Sequence, residues 1–191
     1  MGLRQRGSRI PELTKQFNLR TIVETGCHGG MGLQYAKEIG YDKFFSCDIS
    51  EAMVASAKSS IPEAWIGHLD SLTFISHVLQ QGLITDDRVL WFLDAHFPSM
   101  YDRPDLENET TRFPMIKEME LIRNSGRTGD VIVCDDIRCI EDTTNPAWRG
   151  MPAEHSSKEI SFMQFQEFFN DTHICTIDTY DTGGAIFVPR K

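Results

Sequence analysis

The stretch that most constrains the fold runs from residue 21 to residue 32 and reads TIVETGCHGGMG. It begins with a short β-branched run, passes through four glycines in seven residues and continues into a segment with helical periodicity. Glycine adopts positive φ readily and has no side chain, so such a turn lets the backbone approach another group closely. A strand, a tight glycine turn and a helix N-terminus in this order are typical of a ligand-binding βα unit.

A second apolar run ends at Asp48, about twenty residues beyond the glycine turn. An acid at the carboxyl end of the second strand is placed to accept hydrogen bonds from a ribose diol. The glycines are spaced G-x-x-G-G-x-G instead of the dinucleotide pattern G-x-G-x-x-G. Glu24 would also repel a diphosphate, but it could receive a cationic amino acid. The stretch therefore indicates a nucleotide-type ligand and disfavours a nicotinamide oxidoreductase; an ordinary strand-to-helix turn of another α/β protein is the alternative.

Composition limits the class of partner. The chain has 191 residues, of which 40% are hydrophobic, and a formal net charge of −9. Its size predicts one domain with a substantial buried core over residues 1–191. The negative charge argues against a nucleic-acid partner, because proteins that bind phosphate backbones usually carry a basic face. No apolar run approaches the length of a membrane span and no signal-peptide pattern is present, so we expect no membrane partner and a cytoplasmic location.

The five cysteines are an odd number and include no C-x-x-C pair. This usage predicts a reduced protein without disulfides or a structural zinc site. The oligomeric state stays open, a homo-oligomer included.

Apolar runs alternate with helical segments along the chain. Strands are predicted at about 21–26, 43–48, 64–68, 87–93, 130–134, 173–179 and 185–188. Helices are predicted between the first five strands and at about 157–170, and Gly183-Gly184 is a hairpin signal between the last two strands. Residues 1–9 are expected to be loose. Residues 97–111 and 138–156 are predicted to be insertions on the ligand side of the sheet, the second a lid.

The chain resembles the class I S-adenosylmethionine-dependent methyltransferases, whose first motif is an acid followed by spaced glycines. Glu24, Gly26 and Gly30 stand at the positions of that motif's acid, first glycine and last glycine. His28 stands where that family has a middle glycine. The resemblance implies an α/β Rossmann-like fold: a seven-stranded, mostly parallel sheet with a C-terminal antiparallel hairpin and helices on both faces. It also implies S-adenosylmethionine as cofactor. The residues expected to bind it are Glu24, Gly26, Cys27, His28, Gly30, Asp48, Ile49, Asp70, Ser71 and Asp94.

Asp70 has an alternative role, because an aspartate directly before a helical segment is a good N-cap. Recognition of adenine and capping of the helix that opens at Ser71 are both compatible with its position.

Acids also follow the fourth and fifth predicted strands, as Asp94 and the pair Asp135-Asp136. Carboxylates gathered in one small site repel each other unless they are protonated or bridged by a cation. Hard oxygen ligands suit magnesium, calcium or manganese better than zinc. This arrangement resembles the metal-dependent O-methyltransferases of the macrocin and catechol types, which implies that these three acids hold a divalent metal, magnesium first. The insertion after the fourth strand is longer than those families carry, and His96 and Phe97 replace the catechol-type lysine.

Methyl transfer from a sulfonium requires in-line approach of the acceptor and removal of its proton. His96, two residues beyond Asp94, is the candidate base, and these two residues are the predicted catalytic pair. His96 could instead support the insertion through a hydrogen bond. Three functions follow: metal-assisted O-methylation of a sugar or other small molecule, metal-independent methylation of a small molecule, or cofactor binding without turnover in a module with a protein partner.

Overall fold

The computed structural model describes residues 3, 9–95, 113–137, 140, 160–178 and 183–191. Most of the predicted loose N-terminus, all of the predicted insertion 97–111 and all of 138–156 except residue 140 lie outside these residues. The elements in the described part are α1 (Arg9–Phe17), β1 (Thr21–Thr25), α2 (Met31–Glu38), β2 (Lys43–Asp48), α3 (Glu51–Ser60), β3 (Trp65–His68), α4 (Ser71–Gln80), β4 (Leu90–Leu93), α5 (Met115–Asn124), β5 (Val131–Asp135), α6 (Phe162–Gln166), β6 (His173–Asp178) and β7 (Gly184–Pro189). None of these helices has the length and apolar character needed to cross a bilayer.

All seven strands form one sheet in the order β3-β2-β1-β4-β5-β7-β6. The pairs among β1 to β5 are parallel. Strand β7 is antiparallel to both of its neighbours, β5 and β6. The predicted seven-stranded, mostly parallel sheet with a C-terminal antiparallel hairpin is confirmed.

Central strands are buried on both faces, as expected when helices cover a parallel sheet. Neighbouring residues of β4 show this, because Trp91 and Phe92 point to opposite sides. Trp91 belongs to one core cluster with Phe74 of α4, whereas Phe92 belongs to a second cluster with Leu33 of α2. Helices α1 to α3 thus cover one face and α4 to α6 the other. This arrangement leaves the ends of the strands as the places where a ligand can bind.

Strand β4 and helix α6 are each shorter than predicted by three residues or more. Strand β4 begins at Leu90, because the amide of Val89 donates to Oδ1 of Asp130 at 3.0 Å and does not enter the sheet ladder. Helix α6 begins late because a capping box fixes its start: the side chains of Ser161 and Gln164 each accept a hydrogen bond from the other's backbone amide.

Candidate functional site

The glycine turn lies at the point where the chain reverses direction across the sheet. Strand β1 has β2 on one side and β4 on the other, so the connections that follow β1 and β4 diverge to opposite edges. In open α/β sheets, ligands bind outside the carboxyl ends of the strands at such a switch point. Glu24, Asp48, Asp94 and Asp135 all lie at or directly after the carboxyl ends of strands. The sequence-predicted acids therefore share one edge of the sheet.

The turn itself is held by hydrogen bonds to the end of β2. The amides of Gly26 and Cys27 both donate to the carbonyl oxygen of Cys47, at 3.1 and 2.8 Å. Gly26 has a φ of +79°, and a Cβ atom there would lie 2.9 Å from the carbonyl oxygen of Asp94. Gly30, in the left-handed region, is the N-cap of α2. Glycine at position 26 is required because the turn passes directly against the residue that follows β4.

His28 occupies the position where the motif has its middle glycine, and its backbone has a positive φ. Its φ is +45°, in the left-handed region that residues other than glycine adopt uncommonly, although Asn, Asp and His do so more often than the rest. The ring is exposed, while the backbone amide donates to Oδ2 of Asp48 at 3.0 Å. The backbone at position 28 therefore has the left-handed conformation typical of glycine, although the residue is a histidine.

Replacing His28 by glycine is expected to raise the free energy of unfolding, by up to about 1 kcal/mol. The gain is the relief of left-handed strain, offset in part by the greater entropy of glycine in the unfolded chain. His28→Val, which puts a β-branched side chain into the same conformation, should lower it by about 1–3 kcal/mol. Urea unfolding of both variants measures these changes. A valine variant as stable as the glycine variant would contradict the argument.

Asp48 connects two loops through its carboxylate. Oδ2 accepts from the amide of His28 at 3.0 Å and Oδ1 accepts from the amide of Ser50 at 2.9 Å. Its own carbonyl oxygen accepts from the amide of Leu69 at 3.2 Å. The side chain is only 8% exposed. Because each carboxylate oxygen has two lone pairs, both oxygens retain acceptor capacity toward a bound diol while the backbone fixes their position.

The residues expected near an adenine ring lie beside Asp48. The carbonyl oxygen of Ile49 is 3.0 Å from Nε2 of His68, which ties the loop after β2 to the end of β3. Asp70 is the N-cap of α4, with Oδ1 accepting from the amide of Thr73 at 2.9 Å and Oδ2 accepting from its hydroxyl at 2.6 Å. Ser71, the first residue of α4, is buried. The structure thus shows the capping role of Asp70, and contact of Asp70 or Ser71 with adenine stays a prediction.

Cys27 is the one predicted cofactor residue whose side chain is packed into the core. It is 3% exposed and belongs to the cluster that contains Leu33 and Ala36 of α2. Burial raises the pKa of its thiol, and the nearby charge of Asp48 adds to that rise. The side chain therefore behaves as a small neutral hydrophobic group, and a cofactor could meet this residue only through its main chain.

Glu24 is buried at the end of β1, with an exposed fraction of 3%. The hydroxyl of Ser46, on the neighbouring strand β2, donates to its carbonyl oxygen at 2.8 Å and lies 3.5 Å from Oε2. Burial raises the pKa of Glu24 well above its usual range, and the charges of Asp94 and Asp48 raise it further against the effect of Ser46. Burial and the neighbouring acids therefore favour the protonated form of this carboxyl group. The sequence suggested that Glu24 receives a cationic amino acid, and that contact stays a prediction.

Asp94 approaches the same group of acids from the other side of β1. Its amide donates to Oγ1 of Thr25 at 3.2 Å, which fixes the first residue after β4 against the end of β1. Its charge acts on Glu24. The structure therefore brings Glu24, Asp48 and Asp94 together. His96, the predicted base, lies outside the described residues.

The described residues do not fit the metal site expected from the sequence. Asp135 is buried and its Oδ1 accepts from the amide of Asp136 at 2.8 Å, while Asp136 has a φ of +52°. Within the ranges that the structure describes, which include Asp94, no three His, Cys, Asp or Glu side chains are grouped so that they could hold a metal ion. Placement at neighbouring strand ends does not by itself bring carboxylates to metal-binding distance. Binding of a divalent metal stays a prediction.

The sequence analysis missed two polar residues that hold the site together, Ser46 and Thr25. Both are fully buried in parallel strands, and both bond to an acid or to its backbone. A signal was present, because a hydroxyl within an apolar strand such as β2 needs a hydrogen-bond partner once it is buried. The partner itself follows only from the register between strands.

No protein-family model matches the sequence, and no curated protein matches it. Solved structures do match. A Staphylococcus aureus protein described as a caffeoyl-CoA O-methyltransferase has a TM-score of 0.68 and 14% identity, over 100% of this chain and 85% of that one. An SAH-bound methyltransferase from Podospora anserina has a TM-score of 0.58 and 12% identity, over 100% and 80%. An O-methyltransferase from Bacillus cereus in complex with SAH has a TM-score of 0.57 and 16% identity, over 98% and 82%.

At these identities the likeness concerns the fold alone, and it agrees with the seven-stranded mixed sheet of this chain. The chain has the Rossmann-like fold of S-adenosylmethionine-dependent methyltransferases.

Proposed function

We propose that this chain is an S-adenosylmethionine-dependent methyltransferase that methylates a hydroxyl group of a small molecule. The observation that carries the proposal is the carboxylate of Asp48, held by the amides of His28 and Ser50 beside the glycine turn. A carboxylate fixed in this way at the switch point of the sheet suits the ribose diol of a nucleoside cofactor. The SAH-bound proteins of the same fold from Bacillus cereus and Podospora anserina support this choice of cofactor.

The electrostatics around the turn suit a cofactor that carries a positive sulfonium. Asp48 and Asp94 are acids at the ends of the strands on either side of β1, and burial raises the pKa of Glu24 between them. Protonation of Glu24, which burial favours, would relieve the repulsion among the three acids without a cation. Negative charge on the other two acids would attract the sulfonium of the cofactor.

The transfer is a displacement at the methyl carbon. An acceptor oxygen forms a bond to that carbon as the bond from carbon to sulfur breaks, so the sulfonium becomes the neutral thioether of S-adenosylhomocysteine. The acceptor's proton passes to a base, for which His96 is the candidate. The methyl group is already activated, so positioning supplies most of the catalysis.

The proposal also covers the chemical class of the acceptor and the involvement of a divalent metal. The segment from Phe97 to Glu109 is rich in aromatic and acidic residues, which suits a sugar or another polyhydroxylated compound. A magnesium ion, which the sequence assigned to Asp94, Asp135 and Asp136, would help to deprotonate such an acceptor. Because the described residues do not group these acids as ligands, no step of the reaction is assigned to a metal.

The test combines binding and turnover on the purified chain. Isothermal titration should show binding of S-adenosylhomocysteine but not of NAD. Incubation with S-adenosylmethionine carrying a labelled methyl group and a panel of sugars and catechols should then transfer the label. Both measurements are made in magnesium buffer and in EDTA. Loss of transfer in EDTA with unchanged cofactor affinity would assign the metal to the acceptor.

The outcomes separate the remaining functions. Transfer that persists in EDTA indicates a metal-independent methyltransferase. Cofactor binding without transfer to any acceptor favours a binding module with a protein partner. No binding of S-adenosylhomocysteine in either buffer would overturn the proposed function.

A further inference from the structure

Gly32 lies in the first turn of α2, directly against the side chain of Glu24. A Cβ atom at position 32 would overlap Oε1 of Glu24 and lie 3.1 Å from its Cδ. Gly32 is not among the residues with positive φ, so its backbone conformation is open to any residue. Glycine is also among the least favourable residues within a helix. The space taken by Glu24, and not the backbone, is therefore what requires glycine here.

The carboxyl group of Glu24 has little room to move away. The residue is 3% exposed, and Ser46 on the adjacent strand lies on its other side, with the hydroxyl 3.5 Å from Oε2. Rotation of the carboxyl group alone would not be enough, because Cδ would remain 3.1 Å from the added atom and would still have to shift by a few tenths of an ångström. Glu24 is paired in the ladder with Ser46 and with Phe92, so its backbone is fixed from both neighbouring strands.

We infer that Gly32 is a positioning residue that sets the location of the Glu24 carboxyl group and, through it, the shape of the cofactor site. The missing side chain lets the acid at the end of β1 reach the first turn of α2, so strand, turn and helix form one interlocked unit. The inference rests on the proposed function in one respect, because S-adenosylhomocysteine is the ligand whose affinity reports the shape of the site.

The test is a double-mutant cycle of Gly32→Ala and Glu24→Asp. Aspartate withdraws the carboxyl group by one methylene and so makes room for the added methyl group. Gly32→Ala alone is expected to weaken the binding of S-adenosylhomocysteine at least about tenfold. In the alanine background Glu24→Asp should recover part of this loss, whereas in the wild-type background it should weaken binding. Gly129→Ala is the control, since a methyl group there meets Arg88 at an ordinary 3.6 Å, at the opposite end of the sheet.

Wild-type affinity in Gly32→Ala, or a double variant no better than the product of the two single effects, would overturn the inference. A change confined to the urea midpoint with unchanged affinity would overturn it too, because that is the result of a purely structural glycine. If Gly32→Ala does not fold, the double variant decides: the interlock requires that it folds and binds. If the wild-type chain does not bind S-adenosylhomocysteine, the proposed function fails. The contact between Gly32 and Glu24 is then tested by the coupling between the two substitutions in the unfolding free energies of the same four proteins.

Discussion

Asp48→Ala is expected to weaken the binding of S-adenosylhomocysteine about 100-fold or more. A hydrogen bond to a charged group contributes about 1.5–3 kcal/mol, and a ribose diol would lose two such bonds. The substitution also removes the acceptor that the amides of His28 and Ser50 share. The affinity loss therefore has a direct component, from the ribose, and an indirect one, from loosening of the two loops.

Asp48→Asn would not separate the loss of ribose bonds from the loosening of the two loops. Both carboxylate oxygens accept from backbone amides, so the NH₂ group of asparagine would face an amide donor at His28 or at Ser50. We therefore expect the asparagine variant to be impaired nearly as much as the alanine variant, despite its matched size.

A change in the ligand isolates the direct component. The wild-type chain should bind S-adenosylhomocysteine more tightly than its 2′-deoxy analogue, and Asp48→Ala should bind the two with nearly equal, weak affinity. Isothermal titration of both ligands measures this. Asp42→Ala is the matched control, because Asp42 is an exposed aspartate paired with Arg20. If the alanine variant still distinguishes the two ligands as the wild type does, Asp48 does not bind the ribose.

Asp48 also illustrates what the sequence can predict. The parallel sheet and its hairpin follow from the alternation of apolar runs with helical segments, and the acids lie at strand ends because each follows an apolar run directly. Strand ends of a parallel sheet share one edge, so the approximate site follows from the order of the chain alone. That much of the prediction rests on periodicity, which is a local property.

The remaining features of the site depend on contacts between segments that are distant in sequence. The contact of Gly32 with Glu24 and the bond from Asp94 to Thr25 require the register of β1 against its neighbours. The same limit explains the metal prediction. Sequence places Asp94 and Asp135 after adjacent strands, but not the orientation of their side chains, and the described residues do not group them as ligands. The raised pKa of Glu24 likewise follows from its burial, which its position at a strand end does not reveal.

The second large effect is expected at the opposite end of the sheet, where Asp130 connects β4 and β5. Its carboxylate is fully buried and accepts from the amide of Val89 at 3.0 Å and from Nε1 of Trp91 at 2.7 Å. Arg127 donates to both oxygens, through Nε at 2.6 Å and Nη2 at 3.0 Å. The carbonyl oxygen of Asp130 lies 2.9 Å from Nε2 of His173, so β6 is tied to the same residue.

Asp130→Ala is expected to lower the free energy of unfolding by about 3–5 kcal/mol, because removing one partner of a buried ion pair leaves the other charge uncompensated. The amide of Val89 and the indole of Trp91 would lose their acceptor as well, and buried unsatisfied donors are costly. Asp130→Asn should lose nearly as much, since each oxygen accepts from two N–H donors and the NH₂ group of asparagine would face a pair of them. Asp42→Ala should change stability by less than about 1 kcal/mol, because exposed pairs contribute little. Urea unfolding followed by tryptophan fluorescence measures all three.

Asp130 lies far from the predicted cofactor site, so its substitution should affect stability and not cofactor binding. It precedes β5, whereas the acids of the cofactor site follow the strands, so the two sets lie at opposite ends of the sheet. The folded fraction of Asp130→Ala should therefore bind S-adenosylhomocysteine with nearly wild-type affinity, and Asp48→Ala should show the reverse pattern, with a larger effect on binding than on stability. An Asp130→Ala variant within about 1 kcal/mol of the wild type would mean that the buried network is solvated or replaced when its acid is removed. A loss of affinity without a loss of stability would instead mean that the two ends of the sheet are coupled through β4 and β5.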